Sequence, residues 1–209
     1  MRQVFRSPWS KAFVFLLCLL PLVRLAVGFY RDDLGANPIE AITHGTGDWT
    51  MRFLLLTLAI TPLRRLTGQP DLITFRRMLG LFAFFYGFLH LITWAWLDKF
   101  FDPQEMWDDV VRRRFITAGM LGFVLMVPLA ITSTKGWIRR LGGRRWQRLH
   151  RAVYISAAAG VVHYYWLVKS DIRLPLLYGI ILAVLLALRL VFFVRSRQPA
   201  PQPSKKTSV

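Results

Sequence analysis

Apolar residues gather in six blocks along this chain, at 11–29, 49–62, 78–96, 115–131, 149–167 and 174–194, with most charged residues in the loops between them. Blocks of this kind predict membrane-spanning helices, because about 20 helical residues cross the hydrocarbon core of a bilayer. The second block is short as its apolar residues bound it, and its helix is expected to start earlier, near Gly45. The first has the basic start and apolar core of a signal peptide. It runs on through Arg24 without a convincing small-x-small cleavage site, so a retained span is expected. The predicted fold is an all-α integral membrane protein. It is a six-transmembrane-helix bundle over residues 11–194, with a short N-terminal segment, 1–10, and a basic tail, 195–209, whose Pro, Ser and Lys content predicts disorder.

Charge then orients the bundle. The chain is 55% hydrophobic yet carries a net charge of +17. With the N-terminus inside, 17 of the basic residues fall in inner segments and seven in outer loops, while ten of the 11 acidic residues lie outside and only Asp71 inside. The excess of Lys and Arg places both termini in the cytoplasm. The basic residues are split among short loops, which argues against nucleic-acid binding and for contact with membrane lipid, the tail included. The one cysteine, Cys18, sits in the first apolar block, which excludes a disulfide framework and a Cys-based metal site.

Two histidines carry the candidate chemistry. The third and fifth helices run in the same direction, and His90 and His163 fall at similar depths near their outer ends. Ionisable groups at such depth point to function, and two facing imidazoles can supply both axial ligands of a haem iron. Gly87 and Gly160, three residues before them, leave room for a flat macrocycle or for close helix packing. His150 lies near the inner end of the fifth helix, 13 residues before His163 and roughly 20 Å away along an unbroken helix. A second haem is expected there, although the two side chains would point about 140° apart on an ideal helix. Its partner position on the third helix holds Arg76 or Arg77, and spacing from His90 favours Arg76 as the inward residue, facing a propionate or an open axial position.

Other residues read more plainly. His44 falls in an outer loop, 44–49, and is expected to be a turn residue. Arg24 and Arg189 lie inside apolar blocks, where they snorkel or pair with propionates. Trp94, Trp96 and Trp166 mark the outer boundary and Trp137 and Trp146 the inner, as interfacial belts do. Leu58-Ala59-Ile60-Thr61 before Arg64-Arg65 is echoed by Leu129-Ala130-Ile131-Thr132 before Arg139-Arg140, and a histidine-bearing helix follows each. No dinucleotide fingerprint, Walker loop or Ser/His/Asp set is present in the sequence, so reducing power must come from outside this chain.

The segments Thr43-His44-Gly45-Thr46-Gly47, Leu58-Ala59-Ile60-Thr61-Pro62-Leu63, Arg76-Arg77-Met78-Leu79-Gly80-Leu81, Leu89-His90, Trp146-Gln147-Arg148-Leu149-His150 and His163-Tyr164 together resemble the MsrQ family. These are haem-binding membrane subunits of the bacterial periplasmic methionine sulfoxide reductase system, within the ferric-reductase-like transmembrane group. The resemblance covers about residues 10–195. It implies one or two b-type haems in the bacterial inner membrane, with His90, His150 and His163 as iron ligands and Arg76 where oxidases of the group carry a fourth histidine. It also implies FMN, for which no residues are assigned, a cytoplasmic flavin reductase as donor, and a periplasmic molybdopterin-containing reductase of the MsrP type as acceptor. In that reading the chain is an electron-transfer subunit without substrate chemistry of its own. The competing readings are a quinol-dependent cytochrome b or stand-alone ferric reductase, and a membrane scaffold whose histidines only bridge helices.

Overall fold

The structure, a computed structural model, describes residues 7–195, and all the regular structure among them is helical. The first helix, α1, is Pro8–Tyr30, and α2 is Pro38–Thr67. Each opens on a polar residue followed by proline: Ser7 Oγ accepts from the amide of Trp9, and Asn37 Oδ1 from that of Glu40. Such a cap satisfies a first-turn donor while the proline loses no hydrogen bond at that position. Helix α2 stops at Gly68, which takes φ 65°, a left-handed conformation glycine adopts without strain. A 3-10 turn, Pro70–Leu72, leads into α3, Ile73–Thr93, which widens into a π-helical turn, Trp94–Asp98. The segment that follows folds as α4, Pro103–Arg112, again capped by a polar residue before proline, Asp102. Beyond it come α5 (Arg114–Ile131), α6 (Lys135–Leu141), α7 (Gly143–His150), α8 (Ala152–Leu167) and α9 (Arg173–Arg195).

Among the described residues, four helical stretches are long and apolar enough to cross a membrane: Pro8–Tyr30, Pro70–Asp98, Arg114–Ile131 and Arg173–Arg195. The other two expected spans are built differently. Helix α2 begins at Pro38, well ahead of the apolar block, so the segment 44–49 is helical and His44 is an exposed helix residue, not a turn residue. Its polar start is tolerated because Thr43, Thr46 and Thr50 return their hydroxyls to the carbonyls of Ile39, Ile42 and Thr46 at 2.8–2.9 Å. The fifth block is not one helix. Arg151 N bonds to Arg148 O and Tyr154 N to Arg151 O, both i→i+3, and these tighter bonds separate α7 from the 16-residue α8. The first span begins at Pro8, ahead of the expected Lys11. Residues 1–6 and 196–209, including nearly all of the expected tail, lie outside the described residues.

Two antiparallel pairs organise the bundle: α2 packs most extensively on α3, and α5 on α8. The core runs along α2, where Leu58 is completely buried and Phe53 stacks on the equally buried Tyr86, ring centres 5.4 Å apart. Tyr86 also holds α1. Its hydroxyl donates to Cys18 O at 2.9 Å and accepts from Leu22 N at 3.1 Å, beside Pro21, so it is inserted into the helical ladder where proline has weakened it. Pro62 has a similar consequence in α2: it has no N–H for Leu58 O, and Arg189 of α9 donates to that carbonyl at 2.7 Å.

Candidate functional site

His90 on α3 and His163 on α8 meet between the two helix pairs, with ring centroids 6.0 Å apart and ring planes at 77°. Each imidazole is held from outside its own helix. His90 Nδ1 lies 2.9 Å from Thr43 O of α2, and His163 Nδ1 lies 2.7 Å from Phe115 O of α5. A carbonyl oxygen only accepts, so each Nδ1 carries the proton and each Nε2 keeps its lone pair. Two imidazoles on opposite sides of one first-row metal, each about 2 Å from it and with its ring centre about 1 Å beyond the nitrogen, have centroids roughly 6 Å apart. The observed separation fits that arrangement.

A glycine faces each ring. A Cβ built on Gly47 would lie 3.1 Å from His90 Nδ1, and one on Gly119 would lie 2.7 Å from His163 Nδ1. Gly87 and Gly160, expected to face a macrocycle or pack helices, line the cavity and abut methionines of the opposite pair, Met126 Cε and Met51 Sδ. Both methionines line the cavity around the histidines, whose volume is about 450 Å³, within the range of cofactor pockets. Trp94 Nε1, on the same wall, is buried without a hydrogen-bond partner. Among the described residues there is no group of three or more His, Cys, Asp or Glu side chains placed to hold a bare ion. Two imidazoles are too few for such an ion and enough for a metal whose other ligands come from a macrocycle.

Below the pair lies a charged network that the sequence reading missed. Arg52 donates to Asp48 Oδ2 at 2.6 Å and to Tyr178 Oη at 3.0 Å, Tyr178 donates to Asp48 Oδ1 at 3.1 Å, and Arg52 sits 4.7 Å over the Trp49 ring. Tyr178 is 126 residues from Arg52, and no local pattern announces that contact. Above the pair, Lys99 anchors α4 through Asp109 at 3.0 Å, and this hydrogen-bonded carboxylate holds the Lys99 ammonium above the usual lysine value. Phe100 and Phe101 beside it both have positive φ, 47° and 55°, outliers for bulky side chains.

The inner end differs. Thr132 Oγ1 gives its proton to Pro128 O at 2.6 Å, so the 3.0 Å contact with His150 Nε2 makes that nitrogen the donor. Trp146 covers the His150 ring at 3.9 Å and itself donates to Thr132 O. In this arrangement Nε2 of His150 carries the proton and Nδ1 the lone pair. Arg76 is half-buried and interacts electrostatically with His150, Arg189, Tyr154 and Arg64, while Arg77 is exposed, in keeping with Arg76 as the inward residue. Arg189 donates to Tyr154 Oη at 2.5 Å but keeps a buried, unpartnered Nε, and Thr61 Oγ1 is likewise without a partner. Arg24 is exposed on α1.

The chain is similar to known proteins along most of its length. The model of the ferric reductase like transmembrane component matches residues 46–161, a stretch that holds His90 and His150 and ends two positions before His163. A protein of Herminiimonas arsenicoxydans is 56% identical over 90% of this chain and 87% of its own length. Proteins of Azospira oryzae and Rhodospirillum rubrum are each 53% identical over 95% of this chain and over 86% and 96% of theirs. All three are named protein-methionine-sulfoxide reductase heme-binding subunit MsrQ. The chain belongs to the MsrQ family. That membership also makes it a membrane protein of the ferric-reductase-like kind.

Proposed function

We propose that this MsrQ-family chain is a b-type cytochrome subunit of the bacterial inner membrane. It would pass electrons from a cytoplasmic flavin reductase to a periplasmic molybdopterin-containing methionine sulfoxide reductase, which repairs oxidised proteins. The reading rests on one observation above the rest: His90 and His163 face each other with both Nδ1 protons engaged and both Nε2 lone pairs left for a metal. Haem, when bound there, supplies a one-electron iron couple that the side chains alone lack. The chain's own residues hold and orient. Thr43 and Phe115 carbonyls fix the imidazole tautomers, Met51 and Met126 line an apolar wall, and Trp94 offers an unused N–H. In a six-span topology with both termini inside, the loop charges put a basic face toward the donor and an acidic face toward the acceptor, and this distribution of charge supports the direction. FMN, implied by the family, is assigned no residues.

The test is a pyridine-haemochrome assay with electron paramagnetic resonance on wild type, His90→Ala, His163→Ala and His150→Ala in detergent. Loss of the six-coordinate low-spin signal in the first two variants is the expected result. Full haem content in both would sink the site assignment, and a wild type without a Soret band would sink the cytochrome.

A further inference from the structure

The two histidine seats are built alike. In each, the carbonyl that receives Nδ1–H belongs to residue i of the neighbouring helix, and the glycine facing the ring is residue i+4: Thr43 with Gly47, Phe115 with Gly119. The spacing has a physical reason. In a helix the Cβ of residue i+4 sits beside the carbonyl of residue i, which is why serine and threonine hydroxyls bond back to it. This protein does so repeatedly, with Thr46, Thr50, Thr57 and Thr93 all bonded to the carbonyl four residues earlier. A glycine at i+4 vacates that place. An imidazole from the partner helix then occupies the position that a threonine hydroxyl would take.

We propose that Gly47 and Gly119 are positioning residues that open the Thr43 and Phe115 carbonyls to His90 and His163, and so set the donor strength of both ligands. This rests on the haem reading above. A hydrogen bond from Nδ1–H gives imidazole partial anionic character, makes Nε2 a stronger donor and favours the ferric state. The seats are repeated in the α2–α3 and α5–α8 pairs, His90 following Gly47 by 43 residues and His163 following Gly119 by 44. The Leu-Ala-Ile-Thr echo falls later in the same stretches, within α2 and at the end of α5, where Thr132 caps the helix.

The experiment compares Gly47→Ala, Gly47→Ser, Gly119→Ala and Gly119→Ser with Gly80→Ala and Gly179→Ala. At these last two, the added Cβ meets its nearest atom, in Thr57 and Val161, at an ordinary 3.5 Å. Midpoint potential and low-spin g values are read on variants that extract and run as wild type. The seat variants are expected to keep haem with a raised potential and altered g values. Gly119→Ala should move further than Gly47→Ala because its contact is tighter, and Ser should move further than Ala because its hydroxyl competes for the carbonyl. The control variants should match wild type. Seat variants with wild-type potential and g values would overturn the proposal, as would controls that shift equally. Either result, with wild-type protein still loaded, leaves the haem reading standing. Loss of haem from folded seat variants while the controls stay loaded supports the seats, and a wild type without haem overturns both.

Discussion

The outer and inner ends of the bundle use the same residue types to different effect. At the outer end two histidines are each held through Nδ1 by a carbonyl of another helix, and a cavity lies around them. At the inner end His150 is held through Nε2 by Thr132, covered by Trp146 and close to the half-buried Arg76. A histidine's place in a membrane helix therefore does not tell which ring nitrogen keeps its lone pair. The partner of the other nitrogen decides that.

Four perturbations would break or sharpen this contrast, from the largest effect down. Gly122→Leu comes first. A Cβ there already lies 3.3 Å from the Ser156 carbonyl, so a branched side chain forces α5 from α8, costs about 1–3 kcal/mol of overpacking, and should abolish the Soret band of the extract. Next, Tyr86→Phe removes the hydroxyl bridging Cys18 and Leu22. Thermal unfolding in detergent should show a loss of about 1 kcal/mol, with the outer site's spectrum retained. Thr132→Val is the inner counterpart. It takes the acceptor from His150 and should cost about 1 kcal/mol while leaving haem content as in wild type; a fall matching that of His90→Ala would erase the distinction between the ends. The smallest effect is on the outer cap. Because the Lys99 value is raised, its contribution is complete below the ordinary lysine range and is lost as pH rises through the raised value. Tryptophan fluorescence should register a loosening of α4 only in that alkaline range, and in Asp109→Asn already at lower pH.

Much of this was legible in the chain. The apolar blocks announce helices, matched spacing from the helix ends puts His90 and His163 at one level, and the 14-residue step from His90 picks Arg76 over Arg77. Three things were not. The polar segment 44–49 reads as a loop, yet an Asn-Pro cap and back-bonded threonines carry it into α2. The continuous apolar run at 149–167 hides the i→i+3 bonds around Arg151 that separate His150 from the helix of His163. Gly47 and Gly119 look like packing glycines until the rings that face them are in place.

The order of residues by itself determined the helices and which histidines share a depth, because burial in lipid and the 1.5 Å rise of a helix act along the chain locally. Only the packed bundle decided which ring nitrogen is free, which glycines act as seats, and that Asp48, Arg52 and Tyr178 form one network. Those outcomes depend on contacts between residues 18 to 130 positions apart, and such a contact has direction and distance only after helices have closed on one another.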